Sequence, residues 1–431
     1  GAWATPWGIE YRIDMIAALM ILIIAIIGAV VMPYARRSVL HEIDEQHVGV
    51  FYTCYLLCLT GLLGIVVTGD AFNLFVFLEI SSLSSYVLIS LGKDRRALTA
   101  AFQYLVMGTI GATFILIGIG LMYMMTGTLN MADLAQRLPA VTDTRTIRVA
   151  FAFVTVGVSI KLALFPLHIW LPNAYSYAPS VVSAFLAATA TKVGIYVLLR
   201  LFFTVFGIEF SFDAMHVGEI IAWLAIAAVL TGSLVAIFQD NLKRMFAYSS
   251  VAQIGYIVLG IALATGAGVS AGIVYLFNHA LIKGALFMAL GGIMLRLGSV
   301  RLSDLHGLLQ QMPWTVAAII AGGLSLIGVP LTAGFISKWY LVVAVLEAGY
   351  WPLAFMVLAS SLLTVIYVWR IVEATCFHSP GDERPGLREA PLSMLLPTWL
   401  LIALNLYIGV DATLLTGLAD DAAAVLSGKA P

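Results

Sequence analysis

The stretch Lys161-Leu162-Ala163-Leu164-Phe165-Pro166-Leu167-His168-Ile169-Trp170-Leu171-Pro172 decides how this chain must be read. It closes an apolar run long enough to enter a bilayer, yet it carries a lysine and two prolines. Proline removes a backbone donor and clashes with the preceding turn. In hydrocarbon the freed carbonyls need another partner. A second stretch, Gly328-Val329-Pro330-Leu331-Thr332-Ala333-Gly334-Phe335, interrupts a later apolar run and is followed by Lys338. Such breaks are tolerated where protein or a water-filled cavity satisfies the backbone, and a matched pair points to a transporter built from inverted repeats. Two ordinary proline kinks would leave the same marks.

Working outward, the whole chain fits a membrane. Of 431 residues, 61% are hydrophobic and 10% charged, and the mean hydropathy is +1.01. A soluble protein carries roughly 25% charged residues, so a soluble enzyme and a disordered chain are excluded. The net charge of −1 offers no basic field for nucleic acid. Cys54, Cys58 and Cys376 form neither a disulfide framework nor zinc spacing.

A crossing helix needs about 20 apolar residues. Twelve such segments are expected, at 12–33, 49–68, 70–91, 98–125, 148–166, 177–206, 217–238, 244–264, 269–295, 313–347, 352–375 and 391–410. Strand alternation is absent, so the expected class is an all-α polytopic membrane protein. Residues 1–48 hold the N-terminal segment and first helix. Residues 49–206 form a five-helix repeat whose fourth member is broken, and 217–375 form a second one, also broken at its fourth member. Five is odd, so the two repeats enter from opposite sides. Residues 376–431 supply a loop, the last helix and a short polar tail. No cleavable signal segment is expected, and the missing initial Met implies a removed N-terminus or a start inside a longer protein.

Loop charges set the orientation. Arg36, Arg37, Lys93, Arg95, Arg96, Lys243, Arg244, Arg296, Arg301, Arg384 and Arg388 fall on one side. Arg12, Arg137, Arg145, Arg148 and Lys429 fall on the other. The first side is expected to be cytoplasmic, with both ends outside the inner (plasma) membrane.

A charge at the bilayer centre costs at least about 2.5–3.5 kcal/mol on insertion scales. The chain nevertheless keeps Glu79, Lys161, Lys192, His279, Lys283 and Lys338 inside its spans. His279 and Lys283 are four apart, hence on one helical face. Asp14 and Glu373 lie near span ends, where snorkelling explains them. Glu79 with Lys161 alone fits a packing pair as well as a functional one, since buried pairs stabilise little. The lysines, however, outnumber any acid they could pair with. Burial favours a neutral amine, and a neutral amine can accept a proton and pass it on. Gln103, Thr189, Thr191, Tyr248, Ser249, Ser250, Gln253, Tyr256 and Asn278 are candidate polar lining. No Walker loop or dinucleotide fingerprint is present. His168 and His279 lack companions for a metal or haem, so no cofactor is expected.

These motifs resemble the antiporter-like subunits shared by Mrp-type multisubunit cation/proton antiporters, respiratory complex I and membrane-bound hydrogenases. The resemblance rests on Gly69 to Glu79, Lys161 to Ala174, Thr191 to Tyr196, Asn278 to Phe287 and Gly334 to Lys338, and spans roughly residues 3 to 375. The wording of Asp70 to Glu79 and of Thr191-Lys192-Val193-Gly194 looks most like the D-type member of Mrp complexes. That family has fourteen core helices, so the first two are expected to be missing here, and the long lateral helix of some relatives is not expected. The resemblance implies a proton-translocating subunit of a hetero-oligomeric complex in lipid, with homologous antiporter-like subunits and small membrane subunits as partners. Glu79 would gate through Lys161, and Lys192, His279 and Lys283 would carry protons along a hydrated axis towards Lys338. In an Mrp complex, proton flow is exchanged for Na+ or another monovalent cation. The alternative is a proton-pumping membrane subunit of an NADH/quinone oxidoreductase or hydrogenase. In either case redox chemistry would lie in other subunits.

Overall fold

A computed structural model describes residues 3–378 and 387–428. Arg384 and Lys429, used in the charge balance, lie outside the described residues. Within them the chain is helical, with no strand, and connects through short capped turns.

The order begins with α1 (Met15–Glu42), α2 (Val48–Val67), α3 (Ala71–Ser90) and α4 (Arg95–Thr126). A short α5 (Met131–Arg137) leads to α6 (Arg145–Lys161), α7 (Trp170–Tyr177) and α8 (Ser180–Leu199). Then come α9 (Val217–Ile237), α10 (Leu242–Ala262), α11 (Gly266–Leu297), α12 (Pro313–Ile327) and α13 (Ala333–Glu347). The chain closes with α14 (Trp351–Val372), α15 (Leu392–Val410) and α16 (Thr413–Leu426). Ten helical stretches among the described residues are long and apolar enough to cross a membrane. The two remaining expected spans are the broken ones, α6 with α7 and α12 with α13. The protein is thus an all-α polytopic membrane protein.

Polar side chains define where helices begin. Asp14 accepts from Ala17 N, Asp70 from Asn73 N, Asn130 from Ala132 N and Asp133 N, and Asn241 from Arg244 N. Each occupies one orphan donor of a first turn, and Asn130 two. Burial then sorts the helices. In the most apolar part of the span, 94% of α8, 89% of α10 and 78% of α11 is buried, against 33% for α14. Helices apolar all round belong inside, so α8, α10 and α11 form the centre and α14 faces outward.

Three boundaries differ from expectation. α1 runs through Pro33 to Glu42 instead of ending at 33. Its last turn is held by Ser38 and Glu42, which bond to the start of α8. The fifth span ends at Lys161, not 166, and the sixth starts at Ser180, not 177. The polar tail is partly helical, because Leu415, Ala419, Ala422, Ala423 and Leu426 give α16 a buried stripe at helical spacing.

Candidate functional site

The breaks position the buried amines. α6 ends at Lys161, and Ala163 takes the left-handed conformation at φ 59°. The Trp170 indole donates at 2.9 Å to Ile160 O, which also accepts from Ala163 N at 3.1 Å, and its ring stacks on Tyr104 at 3.9 Å, which pins α7 against α4. At the second break, Gly328 ends α12 with φ 89°, and Leu331 is left-handed at φ 70°. Gly334 permits close approach here, since a Cβ would lie 1.7 Å from Ser325 O. Left-handed non-glycine residues cost of order 1–3 kcal/mol and persist only where packing imposes them. Both breaks carry one.

Lys161 Nζ lies 3.3 Å from Glu79 Oε1 and donates to Ser82 Oγ at 2.7 Å. Ser82 was not foreseen as its partner, although it lies one turn from Glu79. Beside the amine is a small cavity of about 20 Å³, bordered by Ser81, Ser82, Ser85, Tyr104, Val193 and Gly194. That volume suits a single water, and it extends from Lys161 towards α8, the helix of Lys192.

Lys192, His279 and Lys283 lie fully buried where α8 meets α11. Lys192 Nζ donates to Ala187 O, and Lys283 Nζ to Phe246 O at 2.9 Å and to Ser249 Oγ. His279 lies one turn from Lys283 on α11, and α8, which carries Lys192, packs against that helix. Neither ring nitrogen of His279 has a hydrogen-bond partner among the described residues. An imidazole with both nitrogens open can both take and give a proton.

Lys338 reaches back across its break. Its Nζ donates to Leu326 O at 3.0 Å, Ile327 O at 2.8 Å and Ser361 Oγ at 2.9 Å. The first two are terminal carbonyls of α12, so the lysine acts as its C-terminal cap. Tyr256 lies under the same amine, 5.3 Å from Nζ to ring centroid, and its hydroxyl pairs with Ser360.

The structure therefore joins Glu79 to Lys161, and groups Lys192, His279 and Lys283. No direct bond links these two groups to each other or to Lys338. Of the expected lining, Thr191, Ser249 and Tyr256 touch the amines, and Asn278 bridges α11 to Ala333 O and Ser337 Oγ. Gln103 instead bonds Asn173 on an exposed face.

Two buried ion pairs were missed. Asp14 does not snorkel; it takes a two-point bond from Arg200, whose Nε also donates to the Tyr196 hydroxyl at 2.8 Å. Burial pushes the Asp14 carboxyl up, but the adjoining guanidinium outweighs it and holds the group below the usual carboxylate range. Lys243, counted as a loop charge, is 1% exposed and lies 3.7 Å from Glu42. The signal was there in both cases: Arg200 falls inside the expected sixth span, and Lys243 at the border of the eighth. Among the described residues no cluster of three or more His, Cys, Asp or Glu is placed to hold a metal.

Comparison with known proteins agrees with this architecture. The family model described as "NADH:quinone oxidoreductase/Mrp antiporter, TM" matches residues 68–364. The N-type subunit of NADH-quinone oxidoreductase from Desulforudis audaxviator is 45% identical over 93% of this chain and 81% of its own length. The D-type subunit of the Na(+)/H(+) antiporter from Alkalihalophilus pseudofirmus is 32% identical over 96% of this chain and 82% of its own. Among solved structures, a chain of the membrane-bound sulfane sulfur reductase, an archaeal respiratory membrane complex, superposes with a TM-score of 0.91 at 34% identity, covering 99% of this chain and 85% of that one. These relatives are subunits of multisubunit membrane complexes, and the chain belongs to the NADH:quinone oxidoreductase/Mrp antiporter transmembrane family.

Proposed function

We propose that the chain is the proton-translocating subunit of a multisubunit monovalent cation/proton antiporter, with Na+ as the exchanged ion. One observation carries this reading. Lys161, Lys192, Lys283 and Lys338 are all buried, as is His279, and among the described residues only Lys161 of these amines has a carboxylate beside it. Four permanent buried charges would be prohibitively costly, whereas amines that gain and lose protons in turn are a relay. Glu79 holds the Lys161 proton until a charge arrives, and Lys192, His279 and Lys283 pass it across the centre. Lys338 delivers it at the second break. The two five-helix halves, 49–206 and 217–375, act as inverted units around this axis. The arginine-rich loops face the cytoplasm, and the complex resides in the plasma membrane.

The test is exchange by the reconstituted complex under an imposed pH gradient, followed with a pH-sensitive dye. Glu79→Gln and Lys161→Ala should each abolish it while the complex still assembles. Parent rates in both variants would refute the relay. A second reading is favoured by the 45% identity to a component of an NADH-quinone oxidoreductase: the same relay driven by redox chemistry in partner subunits. Co-purification of iron–sulfur proteins, with quinone reduction that Glu79→Gln uncouples from proton movement, would establish it over Na+ exchange.

A further inference from the structure

The arginine-rich face opens into a polar cleft of about 630 Å³, lined by Arg96, Ser176, Tyr177, Asn241, Arg244 and Arg301 among others. Directly behind its wall sits the buried pair of Glu42 and Lys243. Asn241 and Arg244 flank Lys243 along the chain, and Tyr177 precedes Ala178, whose carbonyl accepts from Lys243 Nζ at 3.1 Å. Glu42 Oε1 accepts from Ser38 Oγ at 2.7 Å, and Oε2 accepts from Ser180 N and Oγ, each at 3.0 Å. The pair thus ties α1 and α10 to the joint between α7 and α8. On its inner side, Lys283 donates to Phe246 O. Phe246 is three residues along α10 from Lys243, about 4.5 Å along the helix axis at 1.5 Å per residue.

The polar cleft, the buried acid–base pair and Lys283 therefore follow one another beside the first turn of α10. A pair kept only for packing is a poor investment, since apolar residues of similar volume hold helices as well or better. A guanidinium in place of Lys243 would also have served a purely structural role, as Arg200 does opposite Asp14. Resting on the relay proposed above, we infer that Glu42 and Lys243 form the port through which protons pass between the arginine-lined cleft and Lys283. A hydronium ion in the cleft gives its proton to Glu42 Oε2, leaving water. Lys243 gives an Nζ proton inward to neutral Lys283, across water, and is reprotonated by Glu42. One proton enters, one leaves, and the pair returns to its starting state. Among the described residues, Asp94 lies near Lys243, the Tyr34 hydroxyl near Glu42, and Lys93 packs on the end of α1, its N donating to Glu42 O at 3.2 Å and its Nζ to His41 O at 2.9 Å. Arg96 neutralises Asp94 through a 2.7 Å pair.

The experiment uses the reconstituted complex. Glu42→Gln keeps an oxygen for Ser180 but carries no proton, and Lys243→Arg keeps the cation but does not release one. Each should slow exchange at least about tenfold in an assembled complex, with Glu42→Asp recovering part of the rate. A second arm leaves the pair intact. With Cys54, Cys58 and Cys376 replaced, Gln239→Cys at the cleft is labelled with a membrane-impermeant thiol reagent carrying a bulky charge. Exchange should fall, relative to the same variant before labelling, only when reagent is on the arginine-rich side. Parent rates in Glu42→Gln and Lys243→Arg overturn the port, and so does labelling without effect if those variants fail to assemble. Glu79→Gln in the same preparation separates the two proposals. If it blocks exchange while Glu42→Gln does not, the port alone fails; if neither blocks it, the relay fails.

Discussion

At the first break Lys161 closes α6 and meets a carboxylate; at the second, Lys338 starts inside α13 and meets the last carbonyls of α12. Both amines sit beside unwound backbone with one left-handed non-glycine residue. They differ in what balances the charge. A carboxylate is a full negative charge that can itself be neutralised by a proton, so Lys161 answers to the state of Glu79. Helix-end carbonyls carry only partial charge and cannot be protonated, so Lys338 has a fixed partner. In the proposed relay the first break would therefore sense, and the second would hold and release.

The largest effect should come from removing each amine. Lys161→Met leaves Glu79 without its counter-charge, and breaking a buried pair costs about 3–5 kcal/mol. Lys338→Met leaves two carbonyls uncapped, at about 1–3 kcal/mol. Both abolish exchange, but thermal melting of the purified complex should fall further for Lys161→Met. Equal shifts would erase the distinction between the breaks. Lys338→Arg sharpens it: the guanidinium still reaches the carbonyls but gives up no proton, so assembly survives and transport does not.

Next comes Gly334→Ala. The added methyl carbon would lie 1.7 Å from the backbone oxygen of Ser325. Neither backbone can yield cheaply, so a loss of about 1–3 kcal/mol is expected. The measurable outcome is reduced assembly, and loss of the Lys338 cap with it. At the first break Gly194 of α8 packs on Leu162, where a Cβ would lie 3.0 Å from the backbone Cα, so Gly194→Ala should be the milder change. An assembled, fully active Gly334→Ala complex would show that the second break is loosely held.

How far the sequence alone reached follows from the same physics. Membrane class and both breaks were legible, and Lys161, Lys192, His279, Lys283 and Lys338 stood out as ionisable residues in apolar runs, because charge and proline there are conspicuous; Arg200, also inside a span, was passed over. Partners were not legible. Glu79 and Lys161 lie 82 positions apart, and Lys338 bonds helix-end carbonyls that no side-chain pattern reveals. Lys243 and Asp14 were misplaced for one reason: near a span end, sequence cannot distinguish a side chain reaching water from one bonded to a distant helix. Ser38 and Glu42 kept α1 helical beyond Pro33 through contacts with Ser180 and Val181, again a tertiary effect.

Arg200 and Asp14 provide the control for both breaks, since an arginine pair does not shuttle protons. Arg200→Lys should leave exchange at the parent rate and reduce stability by about 1.5–3 kcal/mol, the worth of a lost charged hydrogen bond. The Asp14 carboxyl is held below its ordinary value. Its stabilising contribution is therefore complete above the ordinary carboxylate range and disappears as pH falls through the depressed value. Acid melting should show this step in the parent and a smaller one in Arg200→Lys. Loss of exchange at neutral pH in an assembled variant would place Arg200 in the relay after all.

The smallest expected effect tests the sensing break at its finest point. Ser82 accepts from Lys161 at 2.7 Å, a shorter contact than the 3.3 Å to Glu79. The hydroxyl therefore fixes where the amine rests while the carboxylate changes state. Ser82→Ala removes about 1 kcal/mol of hydrogen bonding and enlarges the adjoining cavity, so a water can take the vacated place. Exchange should slow by a few-fold, about what 1 kcal/mol yields in a rate. Ser361→Ala, the matching change at Lys338, should do less, because two carbonyls still hold that amine. A larger defect in Ser361→Ala than in Ser82→Ala would reverse the roles assigned here to the two breaks.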